Sequence, residues 1–380
     1  MIIDEKFKPV ADLFFEQGAM APAGGSALSI WQNGKEVLNI FQGEQSAGQP
    51  WSEKTKQVIF SNTKGLTSIM ANQLIEMGFL DPEEKVAHYW PEFAQGGKAE
   101  IPVKWILQHK AGLSAVRRDL TLDELLDGHT VIDELAKQEP LWEPGAGHAY
   151  HSITFGFLVG KLIHAVTGKT AGEYFQEQIA GPLNIDAWIG LPKSELGNLA
   201  TLISDDSRQP SNAPVGSAQY WSEKSMTFGG ALPASVIGDG IGFNDPRVLE
   251  VEMPGINGVM SASAMAKIYS AAVTKTDGIR LLTDYTILKA INPGSFGQSV
   301  WGEPAPWATR GLGFMVHVPG SREYTSNQSF GHDGIGSQAA FGDLANKIGF
   351  GYTTSYLYPV APYEMKNQHE LIHALQKVLA

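Results

Sequence analysis

The sequence predicts an α+β chain in which the first and last segments form one sheet domain and a mainly helical domain is inserted between them. Three observations carry this. Elements run in the order helix, strands, helical block, strands, helix. An Asn33-Gly34 pair between two alternating apolar runs signals a hairpin near the amino end. The chain has 380 residues, 43% of them hydrophobic, which is enough for a large core. The sheet domain is expected from residues 1–79 and 255–380, the helical domain from 80–254.

Residues 5–18 place Phe7, Val10, Leu13 and Phe14 at helical spacing and stop at Gly18. Two antiparallel strands follow around Asn33-Gly34. The strand-like Gln57-Val58-Ile59-Phe60 runs into a helix from about Ser61 to Gly78, whose buried stripe is Leu66, Ile69, Met70, Leu74 and Ile75. Asp81-Pro82-Glu83-Glu84 combines an N-cap Asp with Pro at the first helical position, so a second helix is expected there. Helical patterns then dominate to about residue 190, including the run that closes at Gly168. Residues 191–250 lack sustained periodicity and read as long loops with short elements. Helices return at 261–273 and 283–291, strands at GLGFMVHV, SQAAFGD and KIGFGYTTS, and KNQHELIHALQKVL closes the chain as a helix.

Composition removes several functions. With 40 acidic against 28 basic residues the net charge is -12, which repels a phosphate backbone, so nucleic acid is excluded as a partner. The absence of Cys rules out disulfides, thiolate metal sites and Cys nucleophiles. The amino end has Asp4 and Glu5 where a leader would be basic, and no window holds ~18 uninterrupted apolar residues. The expectation is a cytoplasmic protein without a membrane partner. His148 and His151 lack an acidic residue at ligand spacing, so no metal is expected. Gly238-Asp239-Gly240-Ile241-Gly242 lacks the strand-before, helix-after context of a nucleotide loop and reads as a turn, so no cofactor is implied.

Chemistry is suggested first by Ser61 and Lys64. Positions i and i+3 share a helix face, so the ammonium reaches the hydroxyl. A Ser hydroxyl needs a base to become a nucleophile, and a Lys serves when burial or a nearby cation keeps it neutral. The spacing alone arises by chance; its placement where a strand meets a helix is what informs. The plainer reading is an N-cap Ser beside a solvated Lys.

Three further stretches carry a resemblance. LDPEEKVAHYWPEF (80–93) with IPVKWILQHKAGL (101–113), EPGAGHAYHSITFGFLVGKLIHAVTG (143–168) and FGHDGIGSQAAFGD (330–343), taken after Ser61-Asn62-Thr63-Lys64, resemble the serine β-lactamase and penicillin-binding-protein superfamily. The nearest branch is the β-lactamase-like carboxylesterases, or family VIII esterases, beside the class C enzymes. The resemblance implies an antiparallel sheet flanked by helices, an inserted helical domain, and an active site between them. It implies Ser61 as the acylated nucleophile, with Lys64 and Tyr150 sharing its proton, and leaves open which of the two is the base. The backbone N–H groups of Ser61 and Ile335 would form the oxyanion hole. His332, Asp333 and Gly334 would stand for the family's Lys-Thr-Gly strand.

Two departures from the family pattern bear on substrate. Tyr150-His151-Ser152 places Ser152 where relatives have the Asn carboxamide that binds amides. His332 replaces the Lys and is largely neutral near pH 7, and Asp333 adds negative charge where β-lactams present a carboxylate. A small neutral ester is therefore the expected substrate. Trp142, Trp188, Trp221, Trp301, Trp307 and Phe314 are candidates for an apolar pocket wall, with Trp142 and Trp307 foremost. An α/β-hydrolase would need Gly-x-Ser-x-Gly, and the nearest approach, Pro293-Gly294-Ser295-Phe296-Gly297, lacks the first Gly. On the same fold the alternatives are a D-aminopeptidase or amidase, a transesterase, a weak β-lactamase, and a catalytically inactive binding relative.

Overall fold

Asn33 and Gly34 both take left-handed backbone angles, φ 52° and 77°, the geometry of a two-residue hairpin turn matched to strand twist. They join β2 (Gly25–Gln32) to β3 (Lys35–Ser46), and this hairpin is the amino-terminal half of the main sheet. The structure is a computed structural model that describes residues 1–205, 210–238, 242–358 and 365–380. The turn expected at 238–242 has its centre, residues 239–241, outside the described residues.

Chain order supplies β1 (Ile2–Ile3), then β2 and β3, β4 (Gln49–Pro50), β5 (Gln57–Val58), β6 (Ala187–Ile189), β7 (Gly258–Met260), β8 (Met315–Val316), β9 (Ser329–Gly334), β10 (Gln338–Asp343) and β11 (Ile348–Thr354). The main sheet runs β1-β3-β2-β11-β10-β9-β8, with β4 on β3, and every pairing is antiparallel. A small sheet, β5-β7-β6, stands beside it. The central pair β2·β11 joins the first segment of the chain to the last, with Phe350 opposite Ile30.

One face of the main sheet is covered by the two terminal helices, Lys8–Ala19 and Lys366–Leu379. Their Val10, Phe14, Leu371 and Leu375 pack on Leu28, Ile30, Phe341 and Phe350. The other face carries Ala262–Val273 and Asn62–Glu76, and from there a continuous buried cluster runs through Leu66 and Met265 to Leu158 and Phe175. Residues 80–254 contribute helices and the short β6. The division into 1–79 with 255–380 against 80–254 is kept as a proposal, since that cluster crosses it. Among the described residues no helix is long and apolar enough to cross a membrane.

Several local expectations change. No helix begins at Pro82: Asp81 Oδ1 accepts from Glu83 N in a local turn, and helix appears only at Val86–Tyr89. The backbone there is engaged by residues 101–104 instead, through Val86 N to Ile101 O, Val103 N to Glu84 O and Lys104 N to Pro82 O. Tertiary pairing thus outcompetes a good local start signal. The strand at 57–60 is cut to β5 because Phe60 is left-handed, φ 48°. GLGFMVHV yields only β8, since Gly313 sits at φ 90° and Leu312 N is held by Ala290 O. The 191–250 segment contains helices Ala218–Thr227 and Pro246–Glu250, capped by Ser217 and Asp245.

Candidate active site

Ser61 sits at the amino-terminal end of helix Asn62–Glu76, directly after the left-handed Phe60. That conformation is costly for a bulky residue. It is held by burial of the Phe60 ring, edge-on to Phe243 at 5.2 Å between centroids. Ser61 makes no side-chain cap bond; the residue is 8% exposed and lines a cavity of about 340 Å³.

Lys64 is completely buried, so the reading of a solvated Lys is overturned. Its Nζ lies 3.2 Å from Ser61 Oγ and donates to Gly255 O at 2.7 Å. Burial, and secondarily the charge of Arg310, hold its pKa well below the ordinary lysine value. Tyr150 precedes helix Thr154–Thr167, and Lys64 Nζ is 4.8 Å from the centre of its ring. Burial pushes the Tyr150 phenol up to about 12, against the opposing pull of a hydrogen bond with Ser61 and the charges of Arg310 and Arg322.

The loop bearing Tyr150 is clamped from both sides by His109. Ala149 N donates to His109 O at 3.2 Å, and His151 N donates to His109 Nδ1 at 3.0 Å. His151 in turn accepts at Nε2 from Leu113 N, 3.1 Å, and contacts Ala149 O through Nδ1 at 2.8 Å. His148 meets Phe296 O at 3.0 Å. The ring hydrogen bonds of these three histidines are with backbone, and among the described residues His109 Nε2 and His148 Nδ1 are buried without a hydrogen-bond partner.

β9 brings the other wall. Gly334 presses on the turn that presents Ser61, so closely that a Cβ there would stand 2.5 Å from Ile59 O and 2.6 Å from Asn62 Nδ2. Ile335 follows it, and Ser61, His332, Asp333, Gly334 and Ile335 all line the same cavity. His332 is buried, with Nδ1 2.8 Å from Asp333 O and Nε2 3.4 Å from Tyr150 Oη. Since a carbonyl only accepts, Nδ1 carries the proton and Nε2 is free to accept from the phenol. Burial, then Lys64 and Arg310, depress its pKa far below the usual imidazole value, so it is neutral.

Other expectations are corrected. Asp333 does not offer free negative charge, because it is ion-paired with buried Arg322. Ser152 is buried outside the cavity lining, its hydroxyl turned to Met226 Sδ. Trp142 is also outside it, edge-on to Trp301 at 5.2 Å and to His151 at 5.7 Å. Trp188 bonds Asp186, Trp221 packs on Tyr220, and Phe314 packs on Phe330. Of the six aromatic candidates only Trp307, 39% exposed, lines the cavity, beside Pro304, Pro306, Ala308 and Met315. Sequence reasoning missed Arg310 and Arg322, both 7% exposed and both lining the cavity. It also missed the clamp made by His109. A buried Arg has no sequence signature; an isolated Arg in an apolar, Gly-rich stretch was the available hint.

A serine hydroxyl, a buried amine and a phenol therefore converge beside one cavity, next to two adjacent stretches of backbone. Comparison with known proteins bears on the family and the fold. The family model described as Beta-lactamase matches residues 10–375. The Esterase/beta-lactamase LipL of Mycobacterium tuberculosis is 34% identical over 293 residues, 74% of this chain. That alignment spans 66% of the relative's own length, just under two thirds. Among solved structures, EstA from Arthrobacter nitroguajacolicus Rue61a is 30% identical with a TM-score of 0.85, covering 100% of this chain and 98% of that one. A family VIII carboxylesterase is 26% identical with a TM-score of 0.87, covering 100% and 99%.

Proposed function

The chain belongs to the β-lactamase family of serine hydrolases, and on that premise we propose that it is a carboxylesterase of small esters, working through an acyl-enzyme on Ser61. The observation that carries this reading is the pairing of Ser61 Oγ with the fully buried amine of Lys64 at 3.2 Å. A neutral amine that donates to Gly255 O keeps its lone pair for the Ser61 proton. Lys64 is the better base of the two candidates, because a phenol raised to about 12 is protonated at neutral pH.

In this mechanism Ser61 Oγ bonds to the ester carbonyl carbon as Lys64 takes its proton. The oxyanion lies between the backbone N–H groups of Ser61 and Ile335. Collapse breaks the bond to the alkoxide, which leaves with a proton relayed through Tyr150. Water then repeats the sequence on the acyl-enzyme and frees the acid. Ser152, turned to Met226, offers no group to an amide substrate in the cavity, which favours esters over amides.

Labelling with a fluorophosphonate probe tests the nucleophile. An adduct is expected on Ser61 and none in Ser61→Ala; an intact Ser61 after prolonged exposure overturns the reading and favours a binding protein. Methyl butyrate, a chromogenic cephalosporin and a D-amino-acid anilide then separate ester from amide chemistry. Ester turnover no faster than that of the other two overturns the esterase assignment.

A further inference from the structure

The cavity holds two buried guanidinium groups in unequal circumstances. Arg322 is neutralised by Asp333. Arg310 is only 7% exposed, lies over the Tyr150 ring with Cζ 4.9 Å from its centre, and its backbone is pinned by bonds with Ser295 in both directions. Among the described residues its guanidinium makes no hydrogen bond or ion pair with the protein, and its Nε is buried without a partner. The carboxylate of Glu303 lines the same cavity and its charge is felt at Arg310, but it forms no ion pair with the guanidinium and accepts from Ser299 Oγ instead. A cation taken out of water without a paired counter-charge is costly, and it persists where a ligand supplies that pairing. A guanidinium fork matches the two oxygens of a carboxylate.

We propose that Arg310 is a specificity residue that holds a carboxylate borne by the substrate, so that the preferred esters are half-esters of short dicarboxylic acids. This rests on the esterase reading above and departs from the expectation of a neutral ester, one premise of which, an unpaired Asp333, does not hold. The ester carbonyl reaches Ser61 while the carboxylate pairs with Arg310. The intervening methylenes lie against Trp307, Pro306, Ala308 and Met315. Neutral His332 does not compete for the anion.

The test compares kcat/KM for monomethyl glutarate and methyl butyrate, followed by titration of released acid, in the wild type, Arg310→Gln and Arg310→Lys. The wild type is expected to prefer the half-ester. The preference should fall about 10- to 100-fold in Arg310→Gln, the worth of a charge-assisted hydrogen bond, and recover partly in Arg310→Lys. Equal losses on both esters would place Arg310 on Tyr150 instead of on substrate and overturn the proposal, as would a wild type that prefers methyl butyrate. Calorimetric binding of glutarate to Ser61→Ala and to Ser61→Ala/Arg310→Gln gives a readout without turnover. If neither ester is hydrolysed but glutarate binds in an Arg310-dependent way, the esterase reading fails and the anion site stands. Glutarate binding that ignores Arg310, or is absent, overturns the site. Should Arg310→Gln not fold, the wild-type preference and the Arg310→Lys ratio decide.

Discussion

Gly334→Ala is the most direct probe of how the sheet and the nucleophile turn meet. Gly334 is not among the residues with positive φ, so Ala suits its backbone and only the contact changes. The new Cβ would stand 2.5 Å from Ile59 O and 2.6 Å from Asn62 Nδ2, with Gln338 Cβ at 3.2 Å. A carbon-to-oxygen contact relaxes at about 3.3 Å, so β9 and the Ile59–Ser61 turn must part by about 0.8 Å. The oxygen is backbone and Asn62 Nδ2 is tied to it at 3.0 Å, so no flexible side chain absorbs the change. Overpacking of this kind costs roughly 1–3 kcal/mol of stability. The larger effect is on chemistry. If the N–H groups of Ser61 and Ile335 cradle the oxyanion, moving one by this amount should lower kcat by about 10²-fold, with little change in KM. The assay is steady-state ester hydrolysis alongside thermal melting, with fluorophosphonate labelling to confirm that Ser61 remains reachable. A Gly334→Ala protein with kcat within about twofold of wild type would refute the placement of the oxyanion hole between these two strands of backbone.

Further outcomes follow from the same geometry. If Lys64 acts as the free base, kcat/KM should rise with pH along a limb whose apparent pKa lies below the ordinary lysine value; Lys64→Arg, permanently charged, should lose about 10²- to 10⁴-fold of rate and show no such limb. His109 holds the Tyr150 loop through its Nδ1 and its carbonyl while itself left-handed at φ 58°. His109→Leu should therefore depress kcat by about tenfold or more, and His109→Asn, which tolerates that conformation and offers an acceptor, should recover part of it; equal rates in the two variants would remove His109 as a positioning residue. His109, His151 and His332 are buried and neutral, their pKa values lowered by burial first, His151 to about 3. The unfolded chain binds protons at these sites below about pH 6.5 and the folded chain does not, so their stability contribution is full above that pH and is lost as pH falls. Each accounts for up to about 2 kcal/mol between pH 7 and pH 5, and a urea midpoint that stays flat across that interval would contradict their neutrality.

Local chemistry decided what was legible in the sequence. The β2–β3 hairpin is written in Asn33-Gly34, because few residues accept two successive left-handed conformations. The helices 62–76, 154–167, 262–273 and 366–379 are written in their periodic apolar faces and, at Gly168, in a left-handed C-cap. Ser61 and Lys64 were legible because three residues on a helix is a fixed distance. Tyr150, His332 and Ile335 could be placed only by resemblance, since loop closure over many residues brings them to Ser61. What the tertiary structure alone decided are the matters of burial and partnership. Asp81-Pro82 looks like a helix start until the 101–104 segment takes its backbone bonds. Ser152 and Trp142 look like pocket residues until packing turns them towards Met226 and Trp301. Asp333 looks like free negative charge until Arg322 reaches it, and Arg310 carries only a faint signal until the fold buries it over Tyr150 with no ion-paired acid. Residue type and spacing thus pointed to the fold class and to Ser61 as the candidate nucleophile. Which charges line the cavity was settled only when the chain closed, because the energy of a charge depends on the groups packed around it.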